Sequence, residues 1–172
     1  RQRQMCIRDR AIIKSQDRFK YNVLAAFTNN PGAKGVSICE KYHTQCYILD
    51  HNQFSCRKDF DIEIGKFLAD FDVDYLILAG YMRILSEDFV ADWQGQIINI
   101  HPSLLPKYPG LNTHQRVLEA KEEAHGTTIH FVTNELDSGP IIRQESIKIE
   151  PSDTQQSLMK RIKELENKIY PE

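Results

Sequence analysis

The most constraining feature of this chain is an alternation. Short apolar runs, each too brief for a helix, are separated by stretches whose apolar residues recur at helical spacing. Asp74-Tyr-Leu-Ile-Leu-Ala79, closed by Gly80, is one such run, and Gln96-Ile-Ile-Asn-Ile100 is the next. Successive rather than alternate apolar positions predict strands covered on both faces, as in a parallel sheet. Tyr21–Phe27 and Gln45–Leu49 read the same way. Between the runs, Gly35–Tyr42 predicts a short helix, and Phe60, Ile64, Phe67, Leu68 and Phe71 predict a longer one N-capped by Ser55. Further short helices are expected at Phe89–Trp93 and Gln115–Lys121. Thr128–Val132 and Ile141–Ile149 alternate like a strand pair, mixed or antiparallel, joined by the turn residues from Asn134 to Pro140. Leu158, Ile162, Leu165 and Ile169 mark a final helix, with Ser152 and Gln155 as its capping box. Strands alternating with helices predict one α/β domain over residues 11–172, built on a mostly parallel sheet.

Composition narrows what such a domain can do. With 172 residues, 41% of them apolar and 27% charged, the chain is globular rather than fibrous or disordered. Its 22 basic residues against 24 acidic ones leave a net charge of −2, too weak a field to make nucleic acid or an anionic membrane the expected partner. No apolar run approaches the ~20 residues that span a bilayer. Cys6, Cys39, Cys46 and Cys56 show no CxxC pairing and read as reduced thiols of a cytoplasmic protein. Residues 1–10, Arg-Gln-Arg-Gln-Met-Cys-Ile-Arg-Asp-Arg, lack periodicity and join abruptly to Ala11. Met5 to Arg10 is also what the DNA string ATG TGT ATA AGA GAC AG encodes, which resembles a transposase adapter end. The segment is expected to be non-native and outside the fold, the other reading being a flexible basic start.

Ligands of open parallel sheets bind beyond the carboxyl ends of the strands. Two such ends carry unusual residues: Gly80-Tyr-Met-Arg-Ile-Leu85 and Asn99-Ile-His-Pro-Ser-Leu-Leu-Pro106. Asn99 and His101, two apart on a strand, face the same way. An amide donor beside a titrating imidazole is the arrangement that steadies a developing oxyanion. The same two residues could instead tie down the proline-rich loop, and spacing does not separate the readings. Asp137, in Glu135-Leu-Asp-Ser-Gly-Pro140, is either an Asx-turn residue or the carboxylate that orients His101. Ser103 has no activating neighbour in sequence, and no GxSxG elbow, zinc-protease spacing or Gly-rich phosphate loop is present. Asn99, His101 and Asp137 together suit direct transfer of a carbonyl group between two bound molecules. His43 and His51 read as solvated, His130 as a packed strand residue, and His114 and His125 as polar residues near loops.

Asn99 through His114 closely resembles the phosphoribosylglycinamide formyltransferase family. The likeness includes Leu78-Ala-Gly-Tyr-Met-Arg-Ile-Leu-Ser86, His125 through Ile142 and Glu166-Asn-Lys-Ile-Tyr-Pro171, and covers residues 11–172. The resemblance implies a Rossmann-like formyltransferase fold. It also implies formyl transfer from 10-formyltetrahydrofolate to glycinamide ribonucleotide, without a metal, by a monomer or weak homodimer. It maps the catalytic set onto Asn99, His101 and Asp137. Formyl folate would meet Arg57, Met82, Arg83, Ile84, Leu85, Asn99 and Thr133, Asn134, Glu135, Leu136 and Asp137. The ribonucleotide would meet Lys163 and Glu166, and the Leu105–Pro106 bond would be cis. The family opens with an apolar strand and a Gly-rich phosphate loop, which the residues before Ala11 do not supply. The chain is therefore expected to lack the first strand and to be incomplete at both ends. Methionyl-tRNA formyltransferase resembles it less well, because Tyr108 to His114 lacks an Arg-Gly-Ala stretch and no basic RNA-binding domain follows. Formyltetrahydrofolate deformylase would carry a second histidine where Pro102 stands. A fragment that binds folate without turnover is the non-enzymatic alternative.

Overall fold

A computed structural model describes residues 5–172, with side chains from residue 8 onward. Thirteen elements follow one another. They are α1 (Met5–Lys14), α2 (Gln16–Phe19), β1 (Ala26–Thr28), α3 (Gly35–Lys41), β2 (Cys46–Ile48), α4 (Arg57–Leu68) and β3 (Leu76–Leu78), then α5 (Glu87–Asp92), β4 (Ile97–His101), α6 (Thr113–Glu119), β5 (Ala124–Phe131), β6 (Ile141–Lys148) and α7 (Gln155–Ile169). The alternation is as expected, but the sheet is mixed rather than mostly parallel. β1 pairs with β2 in parallel, and a separate four-stranded sheet runs β3-β4-β5-β6. Within it β3 and β4 are parallel, whereas β5 is antiparallel to both β4 and β6. The reversal comes after β4, where the chain returns through the proline-rich loop and α6 without a full crossover, and β5–β6 then closes as a hairpin.

β1 and β3 are edge strands of their respective sheets, and both line a cavity of about 710 Å³. Residues 21–25 line it too and pair with no strand among the described residues, and β1 begins at Ala26 and not at Tyr21. For the same reason β3 is not covered on both faces: Ile77 remains 41% exposed although apolar.

One core cluster packs Phe60 and Ile64 of α4 against Leu85, Phe89, Val90 and Ile97, with Phe54, Tyr81 and Val132 at its margin. A second joins Ile100 and Ile129 of the sheet to Ile169 and Tyr170. α7 buries Leu158, Ile162 and Ile169 as its spacing predicts, together with Glu166. Two caps differ from the sequence reading by one or two residues. Cys56, not Ser55, caps α4, and Thr154 with Ser157 forms the capping box of α7 in place of Ser152 and Gln155. Capping depends on which residue leaves helical φ/ψ first, and tertiary packing decides that. Residues 5–14 form one helix across the Arg10–Ala11 join, and Arg8 ion-pairs with Glu166, so this stretch takes part in the packing. Cys39, Cys46 and Cys56 are free thiols. Among the described residues, no helix is long and apolar enough to cross a membrane.

Candidate active site

The central strand β4 carries the site. Ile97 and Ile100, three apart, are buried in separate clusters on opposite faces, and Asn99 and His101 at the carboxyl end share the face of Ile97. Asn99 lies between Leu78 of β3 and His130 of β5 in register, and His101 lies opposite Thr128. Beyond His101 the chain is pinned to β5. Thr127 Oγ1 donates to the His101 carbonyl at 2.9 Å and Thr128 Oγ1 to the Ser103 carbonyl at 2.7 Å. Ser103 is fully buried and donates to the Lys107 carbonyl, a tie within the loop that removes it as a nucleophile. The Leu105–Pro106 bond is cis, as the resemblance implies.

Asp137 reaches the same place from the β5–β6 connection. It adopts a left-handed φ of 53°, which carbon-branched residues avoid but Asp tolerates. Nearby, a Cβ on Gly139 would lie 1.8 Å from the Phe131 carbonyl, so only glycine lets the chain turn back here. Asp137 Oδ2 stands 3.3 Å from His101 Nδ1 and accepts the Gly110 amide at 2.8 Å. Both side chains are about 7% exposed. The structure thus places Asp137 beside His101, with Asn99 on the same face of β4.

Burial pushes His101 below the ordinary histidine pKa, while the Tyr108 carbonyl and Asp137 push it back up. Its Nε2 lies 3.0 Å from the Tyr108 carbonyl. A carbonyl can only accept, so Nε2 carries a proton. An unprotonated Nδ1 would then set a lone pair against the Asp137 oxygen, which protonation turns into a charge-assisted bond. An acceptor oxygen therefore stands at each ring nitrogen of His101, and protonation satisfies both.

His130 is packed within β5 as expected, whereas His51, His114 and His125 make contacts the sequence reading did not anticipate. His130 Nδ1 donates to the Phe131 carbonyl at 2.9 Å, which leaves Nε2 to accept from Asn99 Nδ2 at 3.4 Å. His114 and His125, expected in polar surroundings, are instead buried or half-buried partners 2.9 Å apart. Burial pushes each down to about 4. His51 is likewise not simply solvated, since it bonds Asn29 and packs edge-on to Phe60. Only pairing across distant strands and loops reveals these contacts, so no local spacing signals them.

The other expected contact residues fall into two groups. Leu85 turns into the first core cluster at 9% exposure, while Met82 and Ile84 point outward at 69% and 60%. Arg83 lays its guanidinium over the Phe60 ring at 5.2 Å. Arg57 is exposed at the start of α4, and Thr133, Asn134, Glu135 and Leu136 are exposed on the Asp137 loop. Val132 and Phe54 pack against the same cluster as Leu85, so all three segments leave from one underlying core. The second group is on α7. Glu166 is fully buried, accepts from Arg8 Nε at 3.0 Å, and has its pKa raised by burial. Lys163 is lowered by burial and by Arg8. His114 feels Lys163, Arg8 and His101 together, so the histidine pair links the two groups. None of Asn99, His101 and Asp137 lines the large cavity between the sheets. Among the described residues, no group of three or more His, Cys, Asp or Glu is placed to hold a metal ion.

A strand-end amide and imidazole, an orienting carboxylate and no covalent nucleophile define a group-transfer site on an α/β sheet. The sequence profile described as Formyl transferase matches residues 7–172, and the chain belongs to that family. Over 155 residues it is 40% identical to phosphoribosylglycinamide formyltransferase of Escherichia coli, covering 90% of this chain and 73% of that protein. It is 41% identical over 149 residues to the chicken trifunctional purine biosynthetic protein adenosine-3, covering 87% of this chain but only 15% of that much longer protein. The solved phosphoribosylglycinamide formyltransferase of Coxiella burnetii superposes with a TM-score of 0.91 at 40% identity, covering 96% of this chain and 79% of the other.

Proposed function

We propose that this chain transfers the formyl group of 10-formyltetrahydrofolate to the primary amine of glycinamide ribonucleotide, a step of purine biosynthesis. The observation that carries the reading is His101 held at 3.3 Å by Asp137 on the strand face it shares with Asn99, with no nucleophile to form a covalent intermediate. The relatives' named activity supplies the substrates, and the site supplies a mechanism that suits them.

On this reading the amine nitrogen attacks the formyl carbon directly. A C–N bond forms, and the carbonyl electron pair moves onto oxygen. Asn99 Nδ2 and the His101 Nε2–H meet that oxygen as it becomes anionic, which requires the Tyr108 carbonyl to yield its place at Nε2. Asp137 keeps the ring aligned and favours its charged form. Collapse breaks the bond to folate N10, which takes up a proton, and the attacking nitrogen, made cationic by the new C–N bond, loses one. The backbone of Met82 to Ile84 and the exposed Met82 and Ile84 side chains, with Thr133 to Leu136, frame the pterin, and Arg57 meets the acidic folate tail. Lys163 and Glu166 would meet the ribonucleotide, which for the buried Glu166 requires Arg8 to yield its place.

The test is turnover and folate binding measured on the same variants. Loss of one oxyanion donor typically costs ~10²–10³ in rate. Asn99→Ala and His101→Ala should therefore lose turnover by about that factor and still bind tetrahydrofolate. Near-normal turnover in either variant would sink the assignment.

A further inference from the structure

The segment from Gly80 to Ser86 is held to the fold in an unusual way. Residues 80–85 belong to no helix or strand, and their backbone amides and carbonyls make no hydrogen bond within the described chain. Met82 and Ile84 face outward. The segment is thus a strap with unpaired backbone groups, which is stable only if something else sets its path.

Apolar contact supplies part of the answer, through Leu85 in the core and the Arg83 guanidinium on Phe60. Such contacts fix depth but not the direction in which amides and carbonyls point. Direction needs a hydrogen bond, and the strap has one to a distant element. Asp61 of α4, 1% exposed, accepts the Ser86 amide through Oδ2 at 2.6 Å, wholly inside the protein. Its second oxygen, Oδ1, is buried with no hydrogen-bond partner among the described residues. The Tyr81 hydroxyl and Arg83 Nε, two donors on the strap, are buried and unpartnered as well. Tyr81 lies within electrostatic reach of both Asp61 and Arg83. Tyr81 is also within hydrogen-bonding reach of the Arg83 side chain, and the acceptor on Asp61 is complementary in kind to both donors.

We propose that Asp61 is the positioning residue of the folate site: its Oδ2 anchors the strap at Ser86, and its Oδ1 receives Tyr81 or Arg83 when the strap closes on the ligand. This rests on the reading that residues 81–85 border formyl folate. Asp61 touches no substrate in this role and acts through the strap alone.

Asp61→Ala and Asp61→Asn separate positioning from mere stability. Asn keeps an oxygen for the Ser86 amide but offers no second acceptor to Tyr81 or Arg83, so it should weaken tetrahydrofolate binding, and by less than Ala does. Ala removes both acceptors and should weaken tetrahydrofolate binding about tenfold or more. The KM for the formyl donor should rise in step, with kcat at saturating donor and the KM for the amine substrate nearly unchanged. Equal loss for both substrates, or unchanged donor affinity in Asp61→Ala, overturns the proposal. Native-state hydrogen exchange provides a readout free of any ligand. The Ser86 amide should be protected in wild type and in Asp61→Asn, and a fast-exchanging Ser86 amide in wild type also overturns it. If wild type failed to bind tetrahydrofolate while Ser86 remained protected, the tether would stand, but both the folate reading and Asp61's role in it would be overturned.

Discussion

Replacing Asp137 by Asn changes one charge and little else, which makes it the sharpest probe of the site. The Asn oxygen can still accept the Gly110 amide that Asp137 Oδ2 accepts at 2.8 Å, so the loop geometry survives. What is lost is the negative charge 3.3 Å from His101 Nδ1. The bare Coulomb attraction at that distance, with an effective dielectric constant of 20, is about 5 kcal/mol. Replacing a charge-assisted bond by a neutral one forfeits only part of it, about 1.5–3 kcal/mol. If the imidazolium forms only as the formyl oxygen becomes anionic, the whole difference falls on the transition state, and kcat should drop by about 10- to 150-fold. Asp137 raises the His101 pKa, so its removal lowers the midpoint further. Steady-state formyl transfer and the NMR titration of the His101 ring read these two effects separately. Unchanged kcat, or a loss of kcat with an unmoved His101 midpoint, would refute the argument. A parallel loss of folate affinity and thermal stability would show instead that Asp137 holds the loop.

The remaining predictions concern the surrounding charges. His114 and His125 sit near 4 in the folded chain against an ordinary 6.5, so between these values the unfolded chain binds more protons. Stability is then full above pH 6.5 and lost as pH falls toward 4, by at most about 1.4 kcal/mol per pH unit for each histidine, and urea melts of wild type and His125→Gln should show a shallower slope in the variant. Arg8→Ala leaves Glu166 buried without its cation, which should cost about 3–5 kcal/mol at pH 8 and progressively less as pH falls and the raised carboxyl takes up a proton. A pH-independent loss in chemical denaturation would rule that cause out. Arg57→Ala should weaken tetrahydrofolate by about three- to tenfold with no change for the amine substrate, as isothermal titration would show, and equal effects would remove Arg57 from the folate site.

The apolar runs at Leu76–Leu78 and Ile97–Ile100 and the helical face of α7 were legible in the sequence, because burial dictates the order in which apolar residues follow one another. The pairing of Asn99 with His101 was legible for the same reason, since alternate strand residues share a side. Where those periods meet was not. Strand direction after β4 depends on how the chain returns through residues 102–123, and nothing in the alternation of β5 distinguishes a parallel from an antiparallel neighbour. The length of β1 depends on whether a strand lies beside it, so the apolar residues 21–25 read as strand yet border a cavity. Asp137 illustrates the division most clearly. Its sequence context is that of an ordinary turn residue, and a left-handed backbone in a loop 36 positions beyond His101 makes it that residue's partner. Local periodicity determines which faces are buried. Contacts between segments far apart in sequence determine which polar groups meet, and those long-range contacts place the histidines, Asp61 and Asp137.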